Sequence, residues 1–420
     1  MKKKSRGIIL ISLTAALGGL LFGFDFAIFS GTIPFIKPAF LLSDAGLGWA
    51  GSSIYIGCIM GTLVTGYFAD RFGRKIPLVI SAFIFAVSAV MMGWAGSFSS
   101  FIFWRIIAGV GVGSASLLSP LYISEISPAA IRGKMVAVNQ LTIVIGILLA
   151  YLTSYLLQDV ADNWRWMFSS AAIPASVFFI CALTLPESPR WLDIRKGLPA
   201  SANDHKTNFT DLFKPGLLLI VIIGITIAVF QQISGANVVF VYAPLIFEKA
   251  GMNTRNQLFQ QVLIGGVNLV FTLIAMRLVD SSGRRKMMIA GAAGMSFMLC
   301  TIGAAFYFNW LNGPWVSLLT LFFIAIYATT LAPVTWVLIS EIFPTRIRGV
   351  AMSTATTMLW VACFAVTYAF PLLVSYFHGQ THKVFLIFAG ICFIYFLFLL
   401  KYIPETKNKT LEEIEAELVK

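Results

Sequence analysis

Long apolar stretches separated by short polar segments run along the whole chain. No Asp, Glu, Lys or Arg occurs within 76–104, 215–247 or 287–340. About 20 apolar residues span the roughly 30 Å hydrocarbon core of a bilayer, so the last stretch is long enough for two spans. Dividing the apolar runs at charge clusters and turn residues predicts an all-α polytopic membrane protein with twelve spans: 7–31, 48–69, 76–95, 99–122, 134–157, 166–185, 215–243, 258–279, 287–308, 315–339, 350–374 and 384–403.

Three short patterns recur along the chain in the same order. The pairs are 70–75 with 280–286, 124–133 with 340–349, and 186–190 with 404–407. Their first residues are offset by 210, 216 and 218 positions, so each pair falls at corresponding ends of spans six apart. The repeats therefore predict two six-helix halves of the same orientation. Membrane proteins that are built from two such repeats commonly have a ligand site at the interface of the halves near mid-membrane.

The polar segments then divide the chain into four parts. Residues 1–185 form an N-terminal six-helix bundle, 186–214 a cytoplasmic linker, 215–403 a C-terminal six-helix bundle and 404–420 a cytoplasmic tail. The linker is too short to be a domain. The tail contains Thr410-Leu-Glu-Glu413, a capping-box pattern that predicts a short helix.

Composition excludes the soluble and disordered classes of protein. The chain is 58% hydrophobic and 11% charged, with a mean hydropathy of +0.86, whereas soluble domains carry about 25% charged residues. The first apolar segment follows a basic start and is too long for a signal peptide, so we interpret it as a retained span. The five cysteines all fall within predicted spans without metal or redox spacing, and we interpret them as small apolar fillers.

The net charge of +12 sets topology rather than nucleic-acid binding. With both termini in the cytoplasm, 24 of the 30 Lys and Arg residues lie on the cytoplasmic side. This is the positive-inside bias of membrane proteins. Gly109, Gly111 and Gly113 resemble a nucleotide-binding fingerprint, but they lie inside a predicted span with no strand before them, so close helix packing explains them better.

Several motifs together resemble the sugar porters of the major facilitator superfamily over nearly the whole chain. They are GGLLFGFD at 18–25, GYFADRFGRK at 66–75, PESPRWL at 186–192, QQISGAN at 231–237, SEIFP at 340–344 and PETKNKT at 404–410. The resemblance is strongest to bacterial proton-coupled xylose and glucose symporters. It implies the twelve-helix major facilitator fold, a proton as the coupling ion, no other cofactor, and a monosaccharide as substrate.

Two charges lie deep within spans, where ionisable residues are costly and are functional candidates. Asp25 lies six residues before Gly31 in the first span, and Arg105 lies six residues after Ser99 in the fourth, so both sit roughly 9 Å from the outer end. We predict that Arg105 holds deprotonated Asp25 and that protonation releases this contact. The resemblance supports this role; a static buried ion pair is the alternative.

Buried amides and aromatic rings form the predicted sugar site. An amide offers both donors and acceptors to hydroxyl groups, and an aromatic face suits the apolar face of a sugar ring. Hydrogen bonding between helices is the alternative role for a lone amide. The positions that match the family's sugar contacts are Gln140, Gln231, Gln232, Asn237 and Asn268, and the aromatic faces that suit a sugar ring are those of Phe22, Trp336 and Trp360.

Three positions depart from the family pattern. Val241 stands where relatives have a tyrosine, Ala332 replaces a glycine, and Leu359 replaces an amide next to Trp360. The C-terminal half of the site is therefore expected to be less polar than in relatives, which leaves the identity of the sugar open.

Charged clusters at the cytoplasmic helix ends predict a gate. Opposite charges there can form salt bridges that close the inner face in one state and part in another. The alternative is that these charges only set topology. The predicted gate residues are Asp70, Arg71, Arg74, Glu125 and Arg132 in the first half and Asp280, Arg284, Arg285, Glu341 and Arg348 in the second.

These features predict a secondary transporter that carries a monosaccharide inward with a proton by alternating access. We find no nucleophile–base arrangement, phosphate loop or metal-ligand spacing, so an enzyme or an ATP-driven pump is not expected. A facilitator without proton coupling and a non-transporting sugar sensor remain alternatives. We expect a functional monomer in the bilayer of the bacterial cytoplasmic (inner) membrane, with no nucleic-acid partner.

Overall fold

The computed structural model describes most of the chain. The described residues are 2–128, 131–196, 212–214, 217–308, 310, 313–344, 347–407 and 413. They form helices without any strand. The helices are α1 Lys2–Ala39, α2 Asp44–Phe72, α3 Lys75–Gly93, α4 Phe98–Ile126, α5 Arg132–Leu157, α6 Asn163–Ser170, α7 Ala172–Leu183, α8 Pro189–Arg195, α9 Leu218–Ile233, α10 Ala236–Lys249, α11 Thr254–Ser282, α12 Arg284–Tyr307, α13 Gly313–Thr329, α14 Leu331–Ile342, α15 Arg348–Tyr376 and α16 Thr381–Tyr402.

Within these residues, twelve helical spans are long and apolar enough to cross a membrane. The all-α, twelve-span prediction is therefore confirmed. Three spans consist of two helices each: α6 with α7, α9 with α10, and α13 with α14. The short helix α8 is additional to the twelve. Most helices are longer than the predicted spans. The spans were delimited by hydropathy, which ends them at charged residues, whereas the helices continue through those residues.

Two of the three broken spans have identifiable local causes. Between α9 and α10, Gly235 takes a positive φ of 89°, a conformation that residues with a Cβ rarely adopt. Pro244 then follows Tyr242, whose φ and ψ are non-helical. Between α13 and α14, Thr330 leaves the helical region three residues before Pro333. Such discontinuous spans place backbone and side-chain polar groups inside the membrane.

The contacts divide the chain into two compact units. The first unit is residues 1–200 with 254–265, and the second is 201–253 with 266–420. In the first unit α1 packs along α5, and α2 packs along α4. In the second, α12 packs along α16 and α9 along α15. The predicted boundaries at 185, 214 and 403 stay predictions, since much of 186–214 and of the 404–420 tail, including the predicted capping box, lies outside the described residues.

Glycines allow α2 and α4 to approach closely. A Cβ at Gly109 would overlap the Ile54 carbonyl oxygen, and one at Gly113 would overlap the backbone of Cys58. Gly111 lies on the opposite side of α4, against the Ser81 carbonyl of α3. These three glycines therefore serve helix packing, in the way that small residues do in membrane proteins.

Candidate functional site

Asp25 and Arg105 are both sealed inside the first unit. Asp25 lies on α1 and is 0% exposed, and Arg105 lies on α4 and is 1% exposed. Arg105 attracts the Asp25 carboxylate electrostatically. Neither Asp25 oxygen accepts a hydrogen bond from any described residue. Both charges therefore lie inside the protein, and the prediction that Arg105 holds deprotonated Asp25 stays a prediction. Helix α1 continues to Ala39, well beyond the predicted outer end.

Three phenylalanine rings surround the Arg105 guanidinium. Its central carbon lies 4.6 Å from the ring centroid of Phe29, 5.9 Å from that of Phe101 and 5.8 Å from that of Phe168. We call these three residues the aromatic cage. Each ring lies within the roughly 6 Å at which a cation is attracted to an aromatic face. The cage therefore stabilises the positive charge of Arg105 inside the protein whatever the state of Asp25.

Phe29 links the cage to the carboxylate through α1. It follows Asp25 by four positions, so the two side chains emerge on the same face of the helix, one turn apart. A shift of α1 along α4 would therefore move the carboxylate and the nearest cage ring together. The cage is not predictable from the sequence, because its rings come from α1, α4 and α6 and only tertiary packing brings those helices to one point.

A chain of amides lies at the break between α9 and α10 in the second unit. Gln232 donates from Nε2 to Oε1 of Gln231 at 2.6 Å, and Asn237 donates from Nδ2 to Oε1 of Gln232 at 2.5 Å. Gln231 donates in turn to the Tyr327 hydroxyl at 3.4 Å. All three amides are buried. The helix break brings them together, because Gln231 and Gln232 end one helix and Asn237 begins the next.

Cys363 on α15 joins this amide network. Its thiol donates to Oε1 of Gln232 at 3.2 Å and accepts from Nδ2 of Asn237 at 3.4 Å. The interpretation of the cysteines as apolar fillers is therefore wrong at this position. Its spacing was the available signal: Cys363 follows Leu359 by four positions and Trp360 by three, so it shares their helix face. A weakly polar thiol thus lies one turn from the apolar Leu359.

The remaining predicted sugar contacts are distributed over both units. In the second unit Asn268 on α11 and Trp360 on α15 are buried, and Trp336 on α14 is half-buried. In the first unit Phe22 on α1 and Gln140 on α5 are half-buried. Their role in binding sugar stays a prediction, as does the effect of the departures, which are buried too: Val241, Ala332 and Leu359.

The first charged cluster is built around Arg74. This side chain donates to both carboxylate oxygens of Glu125 at 3.1 Å and to Asp70 at 3.2 Å. Ser188 also donates to Glu125, and Glu187 accepts from the backbone N–H of Arg74 at 2.7 Å. From the sequence, 186–190 was identified as part of a repeated motif and of a family motif, without a structural role. In the structure this segment lies against the cluster. Glu187 and Ser188 form hydrogen bonds with Arg74 and Glu125 in addition to those of the ion pair.

The second unit repeats this arrangement. Arg284 donates to Glu341 at 3.3 Å, Glu405 accepts from the backbone N–H of Arg284 at 2.9 Å, and Thr406 donates to Glu341. The three repeated sequence patterns therefore build one structural motif twice. In both copies the described ion pair lies within its own unit.

Other predicted gate residues have different contacts. Arg71 donates to the Tyr67 hydroxyl, Arg285 to the Leu400 carbonyl, and Arg348 to the Phe343 carbonyl. The side chains of Arg132 and Asp280 lie outside the described residues. A gating role stays a prediction for the whole set.

Comparison with known proteins gives a consistent family. The family profile described as "Sugar (and other) transporter" matches residues 11–206 and 193–418. The D-xylose-proton symporter of Escherichia coli (strain K12) is 38% identical, with 97% of this chain and 95% of that protein covered. The arabinose-proton symporter of Bacillus subtilis (strain 168) is also 38% identical, with 98% and 95% covered.

A solved structure shows the same architecture. The inward-open conformation of the xylose transporter XylE from E. coli superposes with a TM-score of 0.86 at 37% identity, covering 98% of this chain and 100% of that one. The profile, the identities and the shared fold agree with the motifs that first indicated the resemblance. This chain belongs to the sugar transporter family of the major facilitator superfamily.

Proposed function

We propose that this protein carries a monosaccharide into the cell together with a proton, by alternating access. The observation that carries the proposal is the sealed Asp25 carboxylate beside Arg105, to which no described residue donates a hydrogen bond. A carboxylate held in this way depends on the charge of its neighbour, so adding a proton changes the balance of forces between α1 and α4. The proton-coupled relatives that act on xylose and arabinose support the same function.

The substrate class follows from the amide network. Gln231, Gln232 and Asn237 offer donors and acceptors without any net charge, which suits a neutral polyhydroxylated ligand better than an ion. Val241 and Leu359 make the surrounding wall less polar. We infer a sugar with few hydroxyl groups near that wall, and therefore test pentoses and hexoses side by side.

The protein is proposed to act as a monomer in the bacterial cytoplasmic membrane, with both termini in the cytoplasm. The twelve apolar spans and the distribution of Lys and Arg support this placement. The proton is the coupling ion, and we propose neither an enzymatic activity nor a further cofactor.

Asp25→Asn tests the coupling. In proteoliposomes with an acidic exterior, the wild type is expected to accumulate D-xylose, L-arabinose or D-glucose above the external concentration. The variant should lose accumulation and keep counterflow, because its amide cannot exchange the proton while its shape is preserved. Asp162→Asn, at a side chain that is 74% exposed in the same unit, serves as the control.

Undiminished accumulation by Asp25→Asn would refute the coupling role. A facilitator is the second candidate function, since the glucose facilitated diffusion protein of Zymomonas mobilis is 34% identical over 98% of this chain. Wild-type counterflow without accumulation would establish that function instead. Sugar binding without any counterflow would support the sensor.

A further inference from the structure

Helix α11 carries a line of buried polar side chains. Gln257, Gln261, Asn268 and Thr272 are all buried, and they follow one another at intervals of four, seven and four positions. Residues at these intervals share one face of a helix. Only Asn268 among them is a predicted sugar contact. The rest of the line has no role in the site described above.

Two members of this line, Gln261 and Thr272, are buried with polar side-chain atoms that have no described hydrogen-bond partner, and Gln261 has more such atoms. It is 0% exposed, and neither its Oε1 nor its Nε2 has a hydrogen-bond partner among the described residues. The buried amides Gln231 and Gln232, in contrast, both take part in hydrogen bonds. A buried amide that makes no hydrogen bond costs free energy in the state where it is buried. This cost is recovered only in a state in which polar groups reach the amide.

One side of the Gln261 amide faces Gly31 of α1. A Cβ built on Gly31 of α1 would lie 3.7 Å from Oε1 of Gln261, and the same position faces Ser154 of α5. Nearby on α11, the Phe259 ring lies 5.9 Å from that of Tyr155. Gly31 contributes no side chain, so the Gln261 amide lies next to the backbone of α1 at this point.

We propose that Gln261 is a further substrate-contacting residue, one that hydrogen-bonds a sugar hydroxyl before the sugar reaches Asn268. The inference rests on the proposed sugar transport. Seven residues of helix separate the two amides by about 10 Å along α11, on the same face. Gln261 is nearer the end of α11 that the charge distribution places outside the cell. An entering sugar would therefore meet Gln257 first and Gln261 second, before it reaches Asn268.

This role explains why glutamine occupies the position. Leucine would fill the same space without leaving polar atoms unsatisfied, and would stabilise the state seen here. A glutamine side chain can form hydrogen bonds with a ligand that carries hydroxyl groups, because hydroxyls and amides both donate and accept. The residue thus favours the substrate-accessible state over the buried one.

Gln261→Leu, Gln261→Asn and the control Gln260→Leu are compared in proteoliposomes. Gln260 is the adjacent amide on the same helix, half-buried and about 80° away from the Asn268 face, and its Oε1 also lacks a described hydrogen-bond partner. For the sugar that the wild type transports, Gln261→Leu should raise the KM for entry about 3- to 10-fold, the loss of one neutral hydrogen bond. Gln261→Asn should restore part of this loss, and Gln260→Leu should change KM less than twofold.

A series of monodeoxy analogues of that sugar separates contact from structural support. For the analogue that lacks the contacted hydroxyl, Gln261→Leu and the wild type should show the same KM, while the other analogues keep the full difference. An equal rise for every analogue, or no rise for any, would overturn the proposal. If Gln261→Leu does not fold, the same comparison is made with Gln261→Asn.

Failure of the proposed function gives a different result. In that case the wild type itself transports none of the sugars, and no variant is needed to see it. Transport by the wild type with an unchanged KM in both Gln261 variants contradicts only the role of Gln261.

Discussion

The aromatic cage makes Arg105 sensitive to the loss of a single ring. Phe29 is the nearest of the three, with its centroid 4.6 Å from the guanidinium carbon, and Arg105 is 1% exposed. A cation over an aromatic face is stabilised by about 0.5–1 kcal/mol at exposed sites and by about 2 kcal/mol when desolvated. Since this guanidinium is fully desolvated, Phe29→Leu should remove roughly 2 kcal/mol of cation–ring attraction, in addition to the packing lost with the ring.

A double-mutant cycle isolates the cation term. The free energy of unfolding by denaturant in detergent is measured for the wild type, Phe29→Leu, Arg105→Met and the double variant. We expect Phe29→Leu to cost about 1–2 kcal/mol more in the presence of Arg105 than in its absence, because the ring interacts with the charge only when the charge is there. Phe85→Leu, at an equally buried ring on α3 with no cation over it among the described residues, should cost the same in both backgrounds.

Transport supplies a second measure of the cage. If the cage stabilises Arg105 when Asp25 takes up a proton, Phe29→Leu should weaken proton-driven accumulation more than counterflow. The free-energy effects of mutations at independent sites are additive within roughly 0.3–0.5 kcal/mol. If Phe29→Leu lowers the free energy of unfolding equally, within that range, with and without Arg105, the cation–ring attraction is refuted.

Two further predictions concern the charged clusters. Gly73→Ala should destabilise the protein by about 1–3 kcal/mol in thermal unfolding, because Gly73 has a φ of 91° and an added Cβ would overlap the Glu187 carboxylate. Gly66→Ala, where nothing lies within 4 Å, should be neutral, and equal effects would contradict the strain. Glu125→Gln should cost about 3–5 kcal/mol, since it leaves a buried arginine without its main partner. Asp70→Asn, at a side chain that is 81% exposed, should cost less than about 1 kcal/mol; comparable melting temperatures for the two variants would contradict this ranking.

The twelve spans and the family could be predicted from the sequence because their signals are local. A span needs only consecutive apolar residues, and the repeated motifs are contiguous letters. For the same reason Asp25 and Arg105 could be identified singly, since any charge inside an apolar run is conspicuous. The amides at 231–237 were also identifiable, because seven positions hold three amide side chains in a mostly apolar span.

The partners of these residues depended on the fold. The aromatic cage takes one ring from each of three helices, and no spacing within one helix indicates that they meet. Cys363 lies 126 positions from Asn237, so its place in the amide network follows only from the packing of α15 near the break between α9 and α10. Glu187 and Glu405 could be recognised as members of a repeated motif. That they accept hydrogen bonds from the backbone of Arg74 and Arg284 follows only from the fold, which brings these distant segments together.

The sequence by itself determined which segments enter the membrane, because the free-energy cost of placing a segment in lipid is the sum of contributions from its own consecutive residues. The tertiary structure decided which polar groups are satisfied inside it. Three aromatic rings surround Arg105, and the amides of Gln231, Gln232 and Asn237 form hydrogen bonds with one another. Gln261 is buried without a described hydrogen-bond partner. These outcomes depend on distances between helices that are far apart in sequence, and such distances are set by the packing of the whole unit.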